Sequence, residues 1–375
     1  MNIPQDQYPA ADPNARKPVI VLFSDDSTLI FAQRMRAALL AADPDCPVQM
    51  TWFADESVLS YRQISQLLPE GPSRIVTRQD LIALMQDPDV SAILTSRIYR
   101  AMLARLKNPV ARWSGNRPCV VSFLGGLDFF PEQGFMRRLH CDGVYLFPRG
   151  AIKDYNALAA DLDAGWQDVG FGHPSALLPQ GAPADLDQRR DIFFFTQALS
   201  PSTKRGRIHM LRMMAAIARA NPDRKVFIKL RHLPNENRKH LHLERYDYPS
   251  LMKALGTVPE NLHLTDITME KALETAALGI TCTSTAAIDL LRAGLPSMVH
   301  LDYVDAYRDP LVEPMRRLFA NSNLITPTER VLTLDPPSPD PRWMEDMFCP
   351  RDLGTRVLDT VARFHDREFQ IRQTL

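Results

Sequence analysis

The 375-residue sequence predicts an α/β protein built from two doubly wound parallel-sheet domains that face a central cleft, followed by a C-terminal helix. Three observations predict it. Short continuous apolar runs such as Val19–Phe23 read as strands buried on both faces. Longer segments with apolar residues at helical spacing stand between them. The alternation stops once, at residues 173–191 (HPSALLPQGAPADLDQRRD), a stretch rich in Pro, Ala and polar residues, and then resumes. The expected boundaries are a flexible N-terminus at 1–17, a first domain at 18–174, a linker at 175–190, a second domain at 191–350 and the terminal helix at 351–375.

In order, Val19–Phe23 is a strand, 29–42 a helix and Val48–Phe53 a second strand. Residues 78–86 suit a helix, 90–95 a strand, 98–106 a helix and 119–124 (CVVSFL) a strand. Residues 143–147 (GVYLF) form the next strand, 152–164 a helix and 169–171 a short closing strand. The second domain opens with the strand 192–196 (IFFFT) and the long helix Lys204–Ala220. Strands follow at 225–230 and 262–264, with helices at 248–255 and 269–276. Residues 278–301 (LGITCTSTAAIDLLRAGLPSMVHL) then read strand, hydroxyl-rich turn, helix, Gly-Leu-Pro and strand, with Gly294 as the helix stop. The amphipathic segment 352–370 is the last helix.

Composition narrows the function. Lys plus Arg and Asp plus Glu both number 44, so no global charge favours nucleic acid or an acidic membrane surface. The first eighteen residues lack the apolar core of a secretory signal, and no run approaches the ~18 apolar residues of a membrane span. A cytoplasmic protein is expected. Cys46, Cys119, Cys141, Cys282 and Cys349 are scattered and odd in number, which suits a reducing compartment and disfavours a structural zinc site.

Ligands of open parallel sheets sit outside the carboxyl ends of the strands. The loops after Phe23, Leu124, Thr196, Leu230 and Cys282 are therefore expected around one cavity. After the first strand, Asp25 and Asp26 can supply a general base or cap the following helix. The absence of GxGxxG there disfavours a dinucleotide site. Gly125 and Gly126 allow close backbone approach to an acceptor or form a tight turn, and Asp128 beside them is a further candidate base. Arg137, Arg138 and Asp142 read as a solvated charge cluster. Gln197 and Lys204 belong to a hydroxylated, basic loop suited to phosphate or sugar. In KLRHLP the alternation puts Lys229 and Arg231 on one face and Leu230 and His232 on the other, and Arg231 or His232 can reach a phosphate at the strand end. His240 and His242 lack helical metal spacing, and no metal is expected. Thr283, Ser284 and Thr285 place three hydroxyls at a helix start, where they either bind phosphate or cap the helix. Asp289, one turn on, faces a ribose or simply caps and pairs.

These residues carry a resemblance. Thr283-Ser284-Thr285 with Asp289 and Pro296 resembles the Ser-Ser-x-x-x-Asp…Pro block of CDP-glycerol glycerophosphotransferase-like enzymes. Lys229 to Pro234 resembles the His-Pro motif of those enzymes and of bacterial sialyl- and Kdo-transferases, and Asp25-Asp26 is similar in position to the acidic motif of the sialyltransferases. Two departures stand out: Leu233 separates His232 from Pro234, and Ser27 stands where the acidic motif has glycine. A literal His-Pro at His173-Pro174 looks like the end of a first GT-B domain entering its hinge, and not the nucleotide motif. The whole chain looks like an uncharacterised bacterial family of GT-B glycosyltransferases.

The resemblance implies a metal-independent GT-B glycosyltransferase with no tightly bound cofactor. It would use a nucleotide-sugar donor, best a CMP-sugar, and a glycan or surface-polysaccharide hydroxyl as acceptor, in association with membrane-bound assembly machinery. It implies nucleotide and phosphate binding by the His and the Ser/Thr pair, and an acidic base from the first domain. A nucleotide-sugar epimerase of the same fold, a glycerol- or polyol-phosphate transferase and a non-catalytic nucleotide-sugar-binding protein are the alternatives.

Overall fold

The computed structural model describes residues 16–108, 117–124, 131–179, 181–234 and 244–374. Two wholly parallel sheets organise them. The first has seven strands in the order β3-β2-β1-β4-β5-β6-β7: β1 Val19–Phe23, β2 Val48–Phe53, β3 Arg74–Val76, β4 Ala92–Thr95, β5 Cys119–Phe123, β6 Gly143–Leu146 and β7 Asp168–Phe171. The second has five in the order β10-β9-β8-β11-β12: β8 Asp191–Phe195, β9 Val226–Lys229, β10 Leu262–Thr265, β11 Ala276–Thr281 and β12 Ser297–Val299. The chain order reverses between β1 and β4 in the first sheet and between β8 and β11 in the second. Those reversals open the crevices in which such sheets bind ligands.

The central strands are buried because both faces are covered. All five residues of β1 are buried, with Val21 paired to Met50 on one side and Leu94 on the other. In β8, Phe193 and Phe195 pack under one helical layer while Ile192 and Phe194 join the opposite one. A large apolar cluster runs from the first sheet through Phe147, Phe171 and Ala176 into the second unit, so the two units share packing.

Local chemistry sets the helix ends. Asp25 caps the Asp26–Ala42 helix in a reciprocal capping box with Thr28. Thr203 caps Lys204–Ala220 by accepting from the Gly206 N–H at 3.0 Å. Gly294 ends Ala286–Arg292 with φ +70°, and a Cβ there would lie 2.1 Å from the Gly181 carbonyl oxygen.

The expected order of strands and helices is present, with ends displaced by a residue or a few. Several elements were not anticipated. These are Tyr61–Leu67, the edge strand β3, and the helices Pro131–Arg138, Val312–Leu318, Thr328–Leu332 and Pro341–Met347. The expected solvated cluster is corrected. Arg137 is exposed, but Arg138 and Asp142 are 6% exposed, and Asp142 holds buried Arg117 through both carboxylate oxygens at 2.7 and 2.8 Å. Arg138 is spent on the carbonyls of Gly134, Ser96 and Phe123. These charges tie loops to the sheet interior.

The terminal helix Leu353–Thr374 returns to the first unit. Leu353 and Val357 are fully buried there, and a Cβ on Gly354 would lie 2.0 Å from the Ala38 carbonyl oxygen. Tyr145 Oη donates to the Arg356 carbonyl at 2.7 Å, and Thr360 Oγ1 to Asp168 at 2.8 Å. The chain thus crosses between the units twice, and the crossings lie side by side. The Cys349 N–H donates to Ala176 O at 2.8 Å, and the Leu178 N–H to Cys349 O at 2.9 Å.

No described helix is long and apolar enough to cross a membrane. The N-terminal segment 1–15, the loop carrying Gly125, Gly126 and Asp128, and His240 and His242 lie outside the described residues.

Candidate functional site

A cavity of about 410 Å³ opens where the carboxyl ends of the two sheets meet. Its lining follows from the topology. Asp25, Asp26 and Ser27 come from the loop after β1, and Ser96 and Arg97 from the loop after β4. Gln197 follows β8, Arg231 and His232 follow β9, and Thr283, Ser284 and Thr285 follow β11. Both reversal points therefore contribute. Ile30, Phe31 and Arg34 project from the first helix, Phe147 follows β6, and His173 and Ser175 come from the crossing between units.

Of the residues nominated from the sequence, Asp25, Asp26, Gln197, Arg231, His232, Thr283, Ser284, Thr285 and Asp289 line this cavity together. Lys204 does not: it is exposed at the first position of its helix, away from the lining. Arg231 and His232 both reach the cavity although strand alternation assigned them opposite faces. β9 ends at Lys229, and beyond it the chain turns.

The acidic loop is fully engaged. One Asp25 oxygen accepts the Thr28 N–H at 2.8 Å and the other accepts from Arg97 at 3.2 Å; Arg97 also holds Glu56 at 3.1 Å. Asp26 receives Arg231 through Nε at 3.1 Å and a second guanidinium nitrogen at 3.2 Å, a fork-to-fork pair across the cleft. The Asp26 carboxylate accordingly holds Arg231 above its ordinary pKa.

Further pairs cross between the units. Arg34 meets Asp289 at 2.7 Å and Glu270 at 3.8 Å, and Arg62 meets Asp266 at 3.1 Å. Asp289 is thus a cross-cleft partner, the pairing alternative of its sequence reading. Below the strand ends, burial drives Lys229 down to about 8 against the pull of Glu270, Asp26, Asp266 and Asp289.

Behind His232 lies a second charged layer. Arg207, 1% exposed, is ion-paired to Glu244 and donates to the carbonyls of Pro201, Gln197 and Ala198. Glu244 also stands 3.8 Å from His232 Nε2. Burial pushes the Glu244 carboxyl up despite the guanidinium beside it.

The hydroxyl loop divides its labour. Ser284 Oγ accepts the Ala286 N–H at 3.2 Å and so starts the helix, the capping alternative of its sequence reading. Thr285 occupies the cap position but makes no side-chain cap bond. Thr283 is 2% exposed, and its Oγ1 has no hydrogen-bond partner among the described residues.

Sequence reasoning missed Arg34, Arg97 and His173 as lining residues. Arg34 was accessible in principle, since Ser27, Ile30, Phe31 and Arg34 repeat on one helical face. Arg97 follows β4, whose neighbour at the reversal point is β1. Among the described residues, no group of three His, Cys, Asp or Glu side chains is gathered to hold a metal ion.

Two open parallel sheets meeting at their carboxyl ends over a polar cleft, with the last helix returned to the first unit, define the GT-B class of transferase folds. The profile of the family described as "Putative glycosyltransferase (DUF6716)" matches residues 19–363, and the chain belongs to that family. No curated protein matches the sequence.

Solved structures match in fold. UDP-GlcNAc 2-epimerase from Methanocaldococcus jannaschii aligns with a TM-score of 0.58 at 8% identity, covering 92% of this chain and 99% of that one. The S. aureus MnaA–UDP co-structure aligns with a TM-score of 0.56 at 11% identity, covering 93% and 97%. UDP-GlcNAc 2-epimerase from Neisseria meningitidis bound to UDP-GlcNAc aligns at 0.54 and 10% identity, covering 92% and 100%. At these identities the likeness is one of architecture.

Proposed function

We propose that the protein transfers a glycosyl group from a nucleotide-sugar donor to an acceptor hydroxyl in the cleft between its two sheets. The observation that carries this reading is the composition of the cavity. Loops from both reversal points line it, with hydroxyls, Arg231, His232 and Asp289 on the second-sheet side and Asp25, Asp26, Arg34 and Arg97 on the first. The nucleotide would lie against Gln197, His232 and the loop of Thr283, Ser284 and Thr285. The acceptor would enter beside Asp25 and Asp26.

In the transfer, the acceptor oxygen forms a bond to the anomeric carbon as the bond from that carbon to the nucleotide phosphate breaks. Asp26 takes the hydroxyl proton. The departing phosphate gains negative charge, which Arg231 and His232 offset. Arg231 supplies a link between these halves. While it holds both Asp26 oxygens, the carboxylate is a poor base; exchanging Asp26 for a phosphate oxygen frees the base when donor is bound. Polysaccharide assembly at the cell envelope, in association with membrane-bound machinery, is the setting proposed for the acceptor.

The proposed donor is a CMP-sugar, on the strength of the segments around His232 and Ser284. The UDP and UDP-GlcNAc held by the S. aureus and Neisseria proteins favour a UDP-sugar as the second reading, with epimerisation in place of transfer. A thermal-shift screen with CMP, CDP, UDP, GDP and ADP tests the donor class. Stabilisation by a cytidine nucleotide is expected, a uridine preference moves the donor to UDP, and no shift with any nucleotide overturns the proposal. Product analysis with donor alone separates transfer from epimerisation, because an epimerase converts its substrate without an acceptor.

A further inference from the structure

His173 lies in the crossing between the two units, outside every motif to which a role was assigned, and it is built as a hydrogen-bond donor. The residue is 5% exposed. Its ring is held among Phe31, Phe123 and Phe147, with centroids 5.4, 6.2 and 5.1 Å away. The backbone N–H of Ser175 donates to Nδ1 at 3.1 Å. An imidazole nitrogen that accepts a hydrogen bond carries no proton, so the neutral ring bears its hydrogen on Nε2. Burial and the positive charges of Arg34 and Arg138 drive the group down to about 3, so the ring is neutral throughout the physiological range.

That Nε2–H has no partner among the described residues. A buried donor without an acceptor is costly, and such groups in native proteins commonly mark a ligand contact. Two other groups on the same cavity share the condition. Thr283 Oγ1 has no hydrogen-bond partner among the described residues, and the residue is 2% exposed. The Arg34 Nη2 makes no hydrogen bond among the described residues and stands 3.8 Å from the Glu270 carboxylate, while Nη1 holds Asp289. Imidazole N–H, guanidinium and hydroxyl are all donors, and two of the three cannot accept. A group that satisfies them together is rich in acceptors and negative, which a phosphate is and a neutral sugar hydroxyl is not.

We infer that His173, with Thr283 and Arg34, binds a phosphate oxygen of the nucleotide donor through a neutral imidazole Nε2–H. The inference rests on the donor class proposed above and adds the part of the donor that this corner of the cleft holds. His173 contributes direction without charge, since a neutral ring recognises an acceptor and adds nothing to the net field.

The test is calorimetric binding at neutral pH to wild type, His173→Phe and His173→Gln. Phe keeps an aromatic ring among its three neighbours and removes the donor; Gln restores a side-chain N–H. The probes are CMP, UDP, their nucleosides cytidine and uridine, and inorganic pyrophosphate. His173→Phe is expected to lose roughly tenfold to a hundredfold in affinity for the nucleotides that wild type binds, as for a hydrogen bond to a charged group, with nucleoside binding unchanged and part of the loss recovered in His173→Gln. A folded His173→Phe that binds nucleotide like wild type overturns the inference, as does an equal loss for nucleotide and nucleoside. If wild type binds pyrophosphate but no nucleotide, the donor class fails, and the His173 dependence of pyrophosphate binding still decides the phosphate contact. Absence of both overturns both. If His173→Phe does not fold, the isosteric Thr283→Val carries the same nucleotide-against-nucleoside comparison.

Discussion

The acids on the first-sheet wall of the cleft and the buried donors facing them are in opposite states. On the first-sheet wall both carboxylates already hold cations: Asp25 has Arg97 and a helix cap, and Asp26 has Arg231. On the opposite wall and the crossing between units, Thr283 Oγ1 and His173 Nε2 are buried without partners among the described residues. The two paired carboxylates can act only by exchanging partners, whereas the unsatisfied donors gain directly from a ligand. The difference separates groups that a donor must rearrange from groups that wait for it.

The comparison breaks first at Asp26. If it is the base, Asp26→Asn lowers turnover by about 10²–10⁴ while nucleotide affinity stays within a few-fold, read by steady-state kinetics beside calorimetry. Equal losses in both would make Asp26 a binding group. Asp25 is expected to differ in kind, because it caps the first helix and anchors Arg97. Asp25→Ala should cost about 2 kcal/mol of stability in denaturant titrations; an unchanged midpoint would dissolve the distinction between these adjacent acids.

The unsatisfied side is probed by pH. A histidine at about 3 in the folded state and ~6.5 unfolded takes up its proton preferentially when unfolded, so its contribution is present above pH ~6.5 and lost as pH falls toward 3. Wild type should therefore lose about 2 kcal/mol more than His173→Phe between pH 7 and 5, measured by chemical denaturation. Parallel pH profiles would place the imidazole outside its aromatic enclosure.

The smallest effect distinguishes neighbours in the hydroxyl loop. Ser284→Ala removes a cap bond and should cost about 1 kcal/mol of stability, with a smaller effect on nucleotide affinity than Thr283→Val. The reverse ranking would move the phosphate contact from Thr283 to Ser284.

What the chain disclosed of this arrangement followed from locality. The bounds of Val19–Phe23, Val48–Phe53 and Lys204–Ala220 could be read residue for residue, because the first is a continuous apolar run, the second alternates apolar and polar residues, and the third is a long amphipathic helix with a clear cap. β3 could not, being a three-residue edge strand whose Ile75 is 49% exposed. In the cleft, strand-end loops were legible because parallel topology fixes which ends converge. Pairings were not. Asp26 with Arg231 spans 205 residues, and Asp289 with Arg34 spans as wide a gap between units, so no window of sequence could show that acids nominated as base or ribose contact meet guanidinium groups. His173 was read as a hinge position because its use depends on one backbone N–H and three aromatic rings, all from distant positions of the first unit.

The return of the terminal helix bears on how the molecule is made. Leu353, Val357 and Val361 fill an apolar face of the first unit, against a first helix that closes to within van der Waals contact of Gly354. Synthesis runs from the amino end, so the seven-stranded unit emerges from the ribosome long before the residues that cover it. For that interval its uncovered face is open to other chains, and the earliest-made half of the protein is the one that finishes folding last.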